Sequence, residues 1–173
     1  MRDKLKRMFN DEVGAHNWYI AGGAAAFWHI EKHARSVGAQ HMNDLEYYES
    51  IRKLIYPGDV EGNAVKEVNI ENFRNDYGDV IDVGLREMDK KTFDEKKETM
   101  CVEVDGVLVV NIDSIIKLYG TTTDKSKIDK RNTRIALLKI VKKGLGITKQ
   151  NVEGNKPRGM NLGAEIALRA RRG

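Results

Sequence analysis

Asp44 and Glu46 stand one residue apart in HMNDLEYY, and a third carboxylate, Asp82, lies among apolar neighbours in VIDVGL. Side chains two apart on a strand share a face, so MNDLEYY, read as a strand, projects Asp44 and Glu46 together while Leu45 turns to the core. Neighbouring carboxylates repel unless solvent or a cation screens them. Divalent magnesium, which takes carboxylate oxygens together with substrate phosphates, suits that pairing; a solvated strand end is the plainer reading of a bare D-x-E. Asp82 is placed on a neighbouring, largely buried strand, about 4.8 Å away if the two are adjacent in a sheet. Buried carboxylates are generally paired or metal-bound.

Upstream, Gly22 and Gly23 separate a short apolar run, WYIA, from AAAFWHIEKHARSV. Glycines at a strand-to-helix junction let the backbone turn sharply and approach a ligand, and the free amides of a helix N-terminus favour anions. The pair is either a tight turn or a phosphate cradle. His29 and His33 fall four apart on the expected helix, with His41 beyond, a spacing that could serve zinc. HIEKH nevertheless lacks the glutamate placement of H-E-x-x-H, and a solvated helix face is the competing reading. Cys101, the single cysteine, is expected to be a small core residue and fits a reducing compartment. Tyr47, Tyr48 and Tyr56 could stack on a base or pack at the core's rim.

The elements that must position these groups follow from periodicity. Leu5, Met8, Phe9 and Val13 predict a short amphipathic helix over 2–14. Trp18 to Ala21 reads as a strand, the alanine-rich stretch after the glycines as a helix ending at Gly38, and MNDLEYY as a second strand. Residues 49–63, with Pro57 and Gly58, read as containing a loop. AVKEVNIENF and DVIDVGLREM alternate as neighbouring strands. MCVEV and VLVVNI flank Asp105-Gly106, a strong hairpin signal. DSIIKLYG is then helical, DKSKIDKRNTRIALLKIVKKG is a longer helix stopping at Gly144, NVEGNKPRGMNLG is a loop, and AEIALRARR is a short final helix. The expected fold class is α/β, or α+β: a small mixed β-sheet flanked by helices, with a helical C-terminal part.

With 173 residues, 40% of them hydrophobic and 32% charged, the chain has the composition of a globular domain rather than a disordered or fibrous one. No apolar run is long enough to span a bilayer, and residues 1–12 lead into no secretory h-region, so a cytoplasmic protein without a membrane partner is expected. The net charge of +4 is uneven: from Lys142 onward eight Lys/Arg face two Glu, leaving residues 1–141 at −2. The basic end is either a solubilising terminus or a polyanion grip.

Together, Gly22-Gly23, Asp44-x-Glu46 and the distant Asp82 resemble the nucleotidyltransferases of the DNA polymerase β superfamily, whose signature is a glycine pair at a helix start, an acidic strand and a third acidic strand. GVLVVNIDSIIKLYG is similar to their later strand-then-helix element, in which a helical lysine, here Lys117, approaches the triphosphate. The likeness covers approximately residues 17–143. Ala24 to Ala26 stand where many members carry serine, and HMN precedes the acidic pair, so the sequence resembles the minimal, toxin-like and phage-encoded members more than the antibiotic-modifying or polymerase-like ones.

The resemblance implies a nucleotidyltransferase-like catalytic core over residues 1–111 and a helical C-terminal part with a basic tail over 112–173. It implies two Mg2+ ions, or Mn2+, held by Asp44 and Glu46, with Asp82 binding the ion nearer the acceptor and assisting its deprotonation. Amides around Gly22 and Gly23 and the Lys117 ammonium would hold the phosphates of a nucleoside triphosphate such as ATP. A nucleoside monophosphate would pass to a hydroxyl of RNA or tRNA, a protein or a small molecule, with release of pyrophosphate, in the cytoplasm of the cell or of the host of a virus or phage. The alternative is a non-catalytic module that binds nucleic acid or protein through the basic C-terminal helix and tail. That module would show salt-sensitive affinity independent of the carboxylates.

Overall fold

The computed structural model describes residues 1–38, 42–121 and 125–157. The first helix, α1 (Arg2–Val13), buries Leu5 and Phe9 on one stripe, as the spacing predicts. Strand β1 (Trp18–Ala21) runs directly into α2 (Gly22–His33), which is extended by a π-helical turn over Ala34–Gly38. Then come α3 (Met42–Ile55), β2 (Asp59–Ala64), β3 (Val68–Arg74) and β4 (Val80–Glu87). Helix α4 (Lys90–Met100) leads to β5 (Cys101–Val104), β6 (Val107–Val110) and α5 (Ile112–Gly120). A 3₁₀ turn precedes α6 (Ile128–Lys143), and α7 (Lys149–Asn155) follows.

The strands form one six-stranded mixed sheet in the order β3-β4-β2-β1-β6-β5. β1 lies antiparallel to β2 and parallel to β6, while β2 and β4 are parallel. The α+β class expected from the sequence is therefore the class observed. Register sorts the sheet into two faces. Trp18 opposite Ala64, and Val60 opposite Val83, lie on a buried face, where the Phe9 ring of α1 meets Trp18 at 4.9 Å. The alternate residues, Ala21 opposite Glu61 and Asp59 opposite Asp82, lie on the other face. Part of that second face is covered by α4, whose Phe93 stacks on Tyr19 at 5.6 Å.

MNDLEYY is not a strand; it opens α3. Tyr48, Ile51 and Ile55 recur every three or four residues and pack on the core, a helical period that outweighs the short alternation around Leu45, itself 48% exposed. Asp44 in the first turn and Arg52 and Lys53 in the last also complement the helix dipole. The loop expected within 49–63 shrinks to the residues around Pro57 and Gly58, because 59–64 form β2. Gly62 hides that strand from a propensity reading. It is there because a Cβ would sit 2.0 Å from the Tyr19 carbonyl oxygen, so the β1–β2 approach requires glycine.

Helix α4 passes unnoticed in the sequence because only Phe93 is buried. Its start is set by Asp89, whose side chain accepts from the Thr92 amide at 3.0 Å. Residues 149–155, read partly as loop, are α7, capped by Thr148. The Asp105-Gly106 turn is as expected, with φ of 51° and 77°, both left-handed, as a type I′ hairpin requires. The stretch AEIALRARR lies outside the described residues. α5 and α6 share the sheet's hydrophobic cluster through Ile115, Leu137, Leu138 and Ile140, so a boundary at 111/112 marks a change of secondary structure within one core. Among the described residues no helix is long and apolar enough to cross a membrane.

Candidate active-site cleft

At the point where β1 becomes α2, the chain turns through Gly22, whose φ is +61°. Glu61 sits directly opposite Ala21 in the β1–β2 ladder, and its carboxylate leans over the turn, so that a Cβ on Gly22 would lie 2.5 Å from Oε1. Gly23 admits a cation in the same way: a Cβ there would lie 2.5 Å from Nη1 of Arg134. Two glycines thus let an acid and a base approach the first turn of one helix.

The acid belongs to a set. Asp59 and Glu61 are two apart on β2 and share its exposed face; Asp82 on β4 is the direct register partner of Asp59. No salt bridge between described residues engages any of the three. Across from them α6 presents Lys130, Arg131 and Arg134, with Lys127 just before it, a spacing of three to four that puts them on one stripe. These groups, the two glycines and Leu118 and Tyr119 of α5 line a cleft of about 710 Å³.

Arg134 is nearly buried. Its Nε and Nη2 donate to the Ile55 carbonyl at 3.1 and 2.8 Å, tying α6 to the end of α3. Burial, then the neighbouring Arg134 charge, lowers the Lys130 ammonium pKa, while Asp59 pulls it back up. Burial raises the Tyr119 hydroxyl, against the opposing pull of Arg134. The cleft is therefore electrically divided, with carboxylates on the sheet and cations on the helix.

Of the residues singled out in the sequence, Gly22, Gly23 and Asp82 come together here. Asp44 and Glu46 do not line the cleft; on α3, residues two apart point about 200° apart around the axis, so they share no face as they would on a strand. Lys117 is exposed on α5 and lines an adjoining, more apolar hollow of about 530 Å³ that shares Gly22, Leu118 and Tyr119 with the cleft. The acidic pair on the sheet is Asp59-x-Glu61, which sequence reasoning missed. The available signal was DVEGNA directly after Pro57-Gly58, a helix stop followed by alternation. The repeat K-x-x-K-R-x-x-R over 127–134 announced the cationic stripe.

The other candidates are structurally engaged. Nε2 of His29 donates to the Val110 carbonyl at 2.9 Å, and Nε2 of His33 to the Leu145 carbonyl at 2.6 Å, so one ties α2 to β6 and the other ties it to the segment after α6; His41 lies outside the described residues. Burial pushes the half-buried Cys101 thiol up to about 11, the opposite of an activated nucleophile. The Tyr48 hydroxyl donates to the Glu31 carboxylate, and the Tyr56 ring packs edge-on against Phe27 and Tyr77. Neither offers a free stacking face; Tyr47 is half-buried.

Among the described residues no three His, Cys, Asp or Glu side chains are gathered tightly enough to hold a metal ion as they stand. Comparison of the chain with protein families, with curated proteins and with solved structures finds no match in any of the three.

Proposed function

We propose that the cleft transfers a nucleoside monophosphate from a nucleoside triphosphate to a hydroxyl acceptor, with Asp59, Glu61 and Asp82 in the roles that the resemblance gives to its acidic strands. What carries this reading is the cleft's division: three carboxylates on adjacent strands face a stripe of cations across a helix that opens on two glycines. A substrate that brings its own polyphosphate and divalent cation complements both walls at once.

The donor set suits magnesium in kind, being carboxylate oxygens on one face that no salt bridge between described residues engages, and the three side chains would have to draw together to share one ion. Bound there by Asp59, Glu61 and Asp82, Mg2+ or Mn2+ would supply charge neutralisation of the triphosphate. The residues of the chain do the remainder. Amides at Gly22 and Gly23 orient phosphate oxygens, the α6 cations offset the charge that grows on the leaving group, and the Asp82 carboxylate takes the proton of the acceptor hydroxyl. That oxygen attacks the α-phosphorus; a new P–O bond forms, the α–β bridging P–O bond breaks, and pyrophosphate leaves.

The acceptor is a hydroxyl of RNA, of a protein or of a small molecule, and a cytoplasmic location fits a chain whose one cysteine is an unpaired, half-buried thiol. The test is incubation of purified protein with each α-labelled nucleoside triphosphate, magnesium and a cell extract containing total RNA. Label entering a macromolecule or small product only when magnesium is present supports the reading. Absence of nucleotide binding with any of the four contradicts it.

A second reading has its own observation. Lys139, Lys142, Lys143 and Lys156 line a separate hollow of about 730 Å³ at the far end of α6, a surface suited to a nucleic-acid backbone. A pure binding module would show RNA affinity that falls steeply with salt and is indifferent to Asp59→Asn. Partners already hold some of these lysines, Asp113 taking Lys142 at 2.6 Å and Glu153 taking Lys156 at 3.1 Å, which is why the transferase reading ranks first.

A further inference from the structure

Arg134 is the least ordinary group in the cleft. It is 8% exposed, and no salt bridge among the described residues gives it a carboxylate. A buried guanidinium is costly unless it is paired. Two of its nitrogens are held by the Ile55 carbonyl. The third, Nη1, finds among the described residues the Tyr119 hydroxyl at 3.5 Å and rests against Gly23 at the start of a twelve-residue helix. The guanidinium is thus fixed from behind, with its free edge beside the amides of a helix N-terminus, where anions bind.

Lys130 stands one turn earlier on the same stripe and lines the same cleft. Burial and the Arg134 charge already work against its protonated form, and a bound anion would relieve both cations. Residues one turn apart on a helix have Cβ atoms about 5–6 Å apart, so the two heads offer positive charge at two separated points. Two linked phosphates span such a pair more fully than one.

We infer that Arg134, Lys130 and the amide end of α2 at Gly23 form a preformed receptor for two linked phosphates, the pyrophosphate portion of a nucleoside triphosphate. The receptor makes the cleft select triphosphates over monophosphates and retain pyrophosphate after transfer. This rests on the cleft being the nucleotide site. It moves the phosphate-holding role from Lys117, which lines the adjoining hollow, to α6.

Calorimetric titration of the full chain with inorganic pyrophosphate and with inorganic phosphate, in the absence of metal, tests it. Pyrophosphate should bind more tightly than phosphate, and its affinity should fall at least ~10-fold in both Lys130→Met and Arg134→Lys, the scale of a lost hydrogen bond to a charged group. Circular dichroism and thermal melts check that each variant is folded. Should Arg134→Lys fail to fold, the half-buried Lys130 carries the comparison alone.

Equal affinity for the two anions, or pyrophosphate affinity unchanged in the folded variants, overturns the inference. Label transfer that persists with an unaltered KM for the triphosphate in Lys130→Met overturns it too, and leaves the transferase reading standing. Pyrophosphate binding that depends on Lys130 and Arg134, in a protein that transfers no label, keeps the receptor and removes the transferase reading.

Discussion

Glu61 and Arg134 reach the first turn of α2 from opposite walls, and each is admitted by the glycine beneath it. Gly22 is the more demanding of the two, since its φ of +61° is left-handed and the Glu61 carboxylate leaves no room for a methyl group. Gly22→Ala should therefore cost about 1–2 kcal/mol for the backbone alone, measured by urea unfolding, and should also push Glu61 away from the turn. Loss of activity out of proportion to that stability change would mark the displaced carboxylate. The glycine pair is legible as the break between two periodic runs, and Asp82 as a carboxylate among apolar residues. Asp59 and Glu61 are not, because Gly62 breaks the strand signal and the reason for Gly62, the Tyr19 carbonyl, is contributed from forty-three positions away in sequence.

At the scale of elements, α2 is held to the sheet through a histidine rather than through apolar contact alone. Nε2 of His29 donates to the Val110 carbonyl on β6, and burial lowers the imidazole pKa below its ordinary 6.5. The folded state thus prefers the neutral ring. That stability is present above the ordinary value and is lost as pH falls through it toward the lowered one. The thermal midpoint should drop between about pH 7 and about pH 5, and His29→Gln should show a smaller drop over the same interval; an identical slope in the two proteins would contradict this role. Elements whose pattern is local were readable in advance, as α1, β1 and the Asp105-Gly106 hairpin show. α3 was misread because the two-residue spacing of Asp44 and Glu46 resembles a strand, whereas the packing of Tyr48, Ile51 and Ile55 that makes it a helix depends on the tertiary core.

For the molecule as a whole, α6 has two functions on two faces. Ile135, Leu137, Leu138 and Ile140 are buried, while Lys130 and Arg134 line the cleft. The helix therefore completes both the hydrophobic core and the cationic wall. A fragment ending at residue 111 should accordingly lack a cooperative thermal transition, and Leu138→Ala in the full chain should cost about 2–5 kcal/mol. A cooperatively folding fragment would show that the core closes without α5 and α6. Because the cleft is assembled from α2, β2, β4, α5 and α6, its composition could not be read from any one segment. The measurement that bears most directly on the central claim compares three proteins in one α-labelled nucleoside triphosphate transfer assay: wild type, Asp59→Asn and Asp44→Asn. The cleft assignment predicts transfer by wild type and Asp44→Asn and none by a folded Asp59→Asn; transfer retained in Asp59→Asn and lost in Asp44→Asn would contradict it.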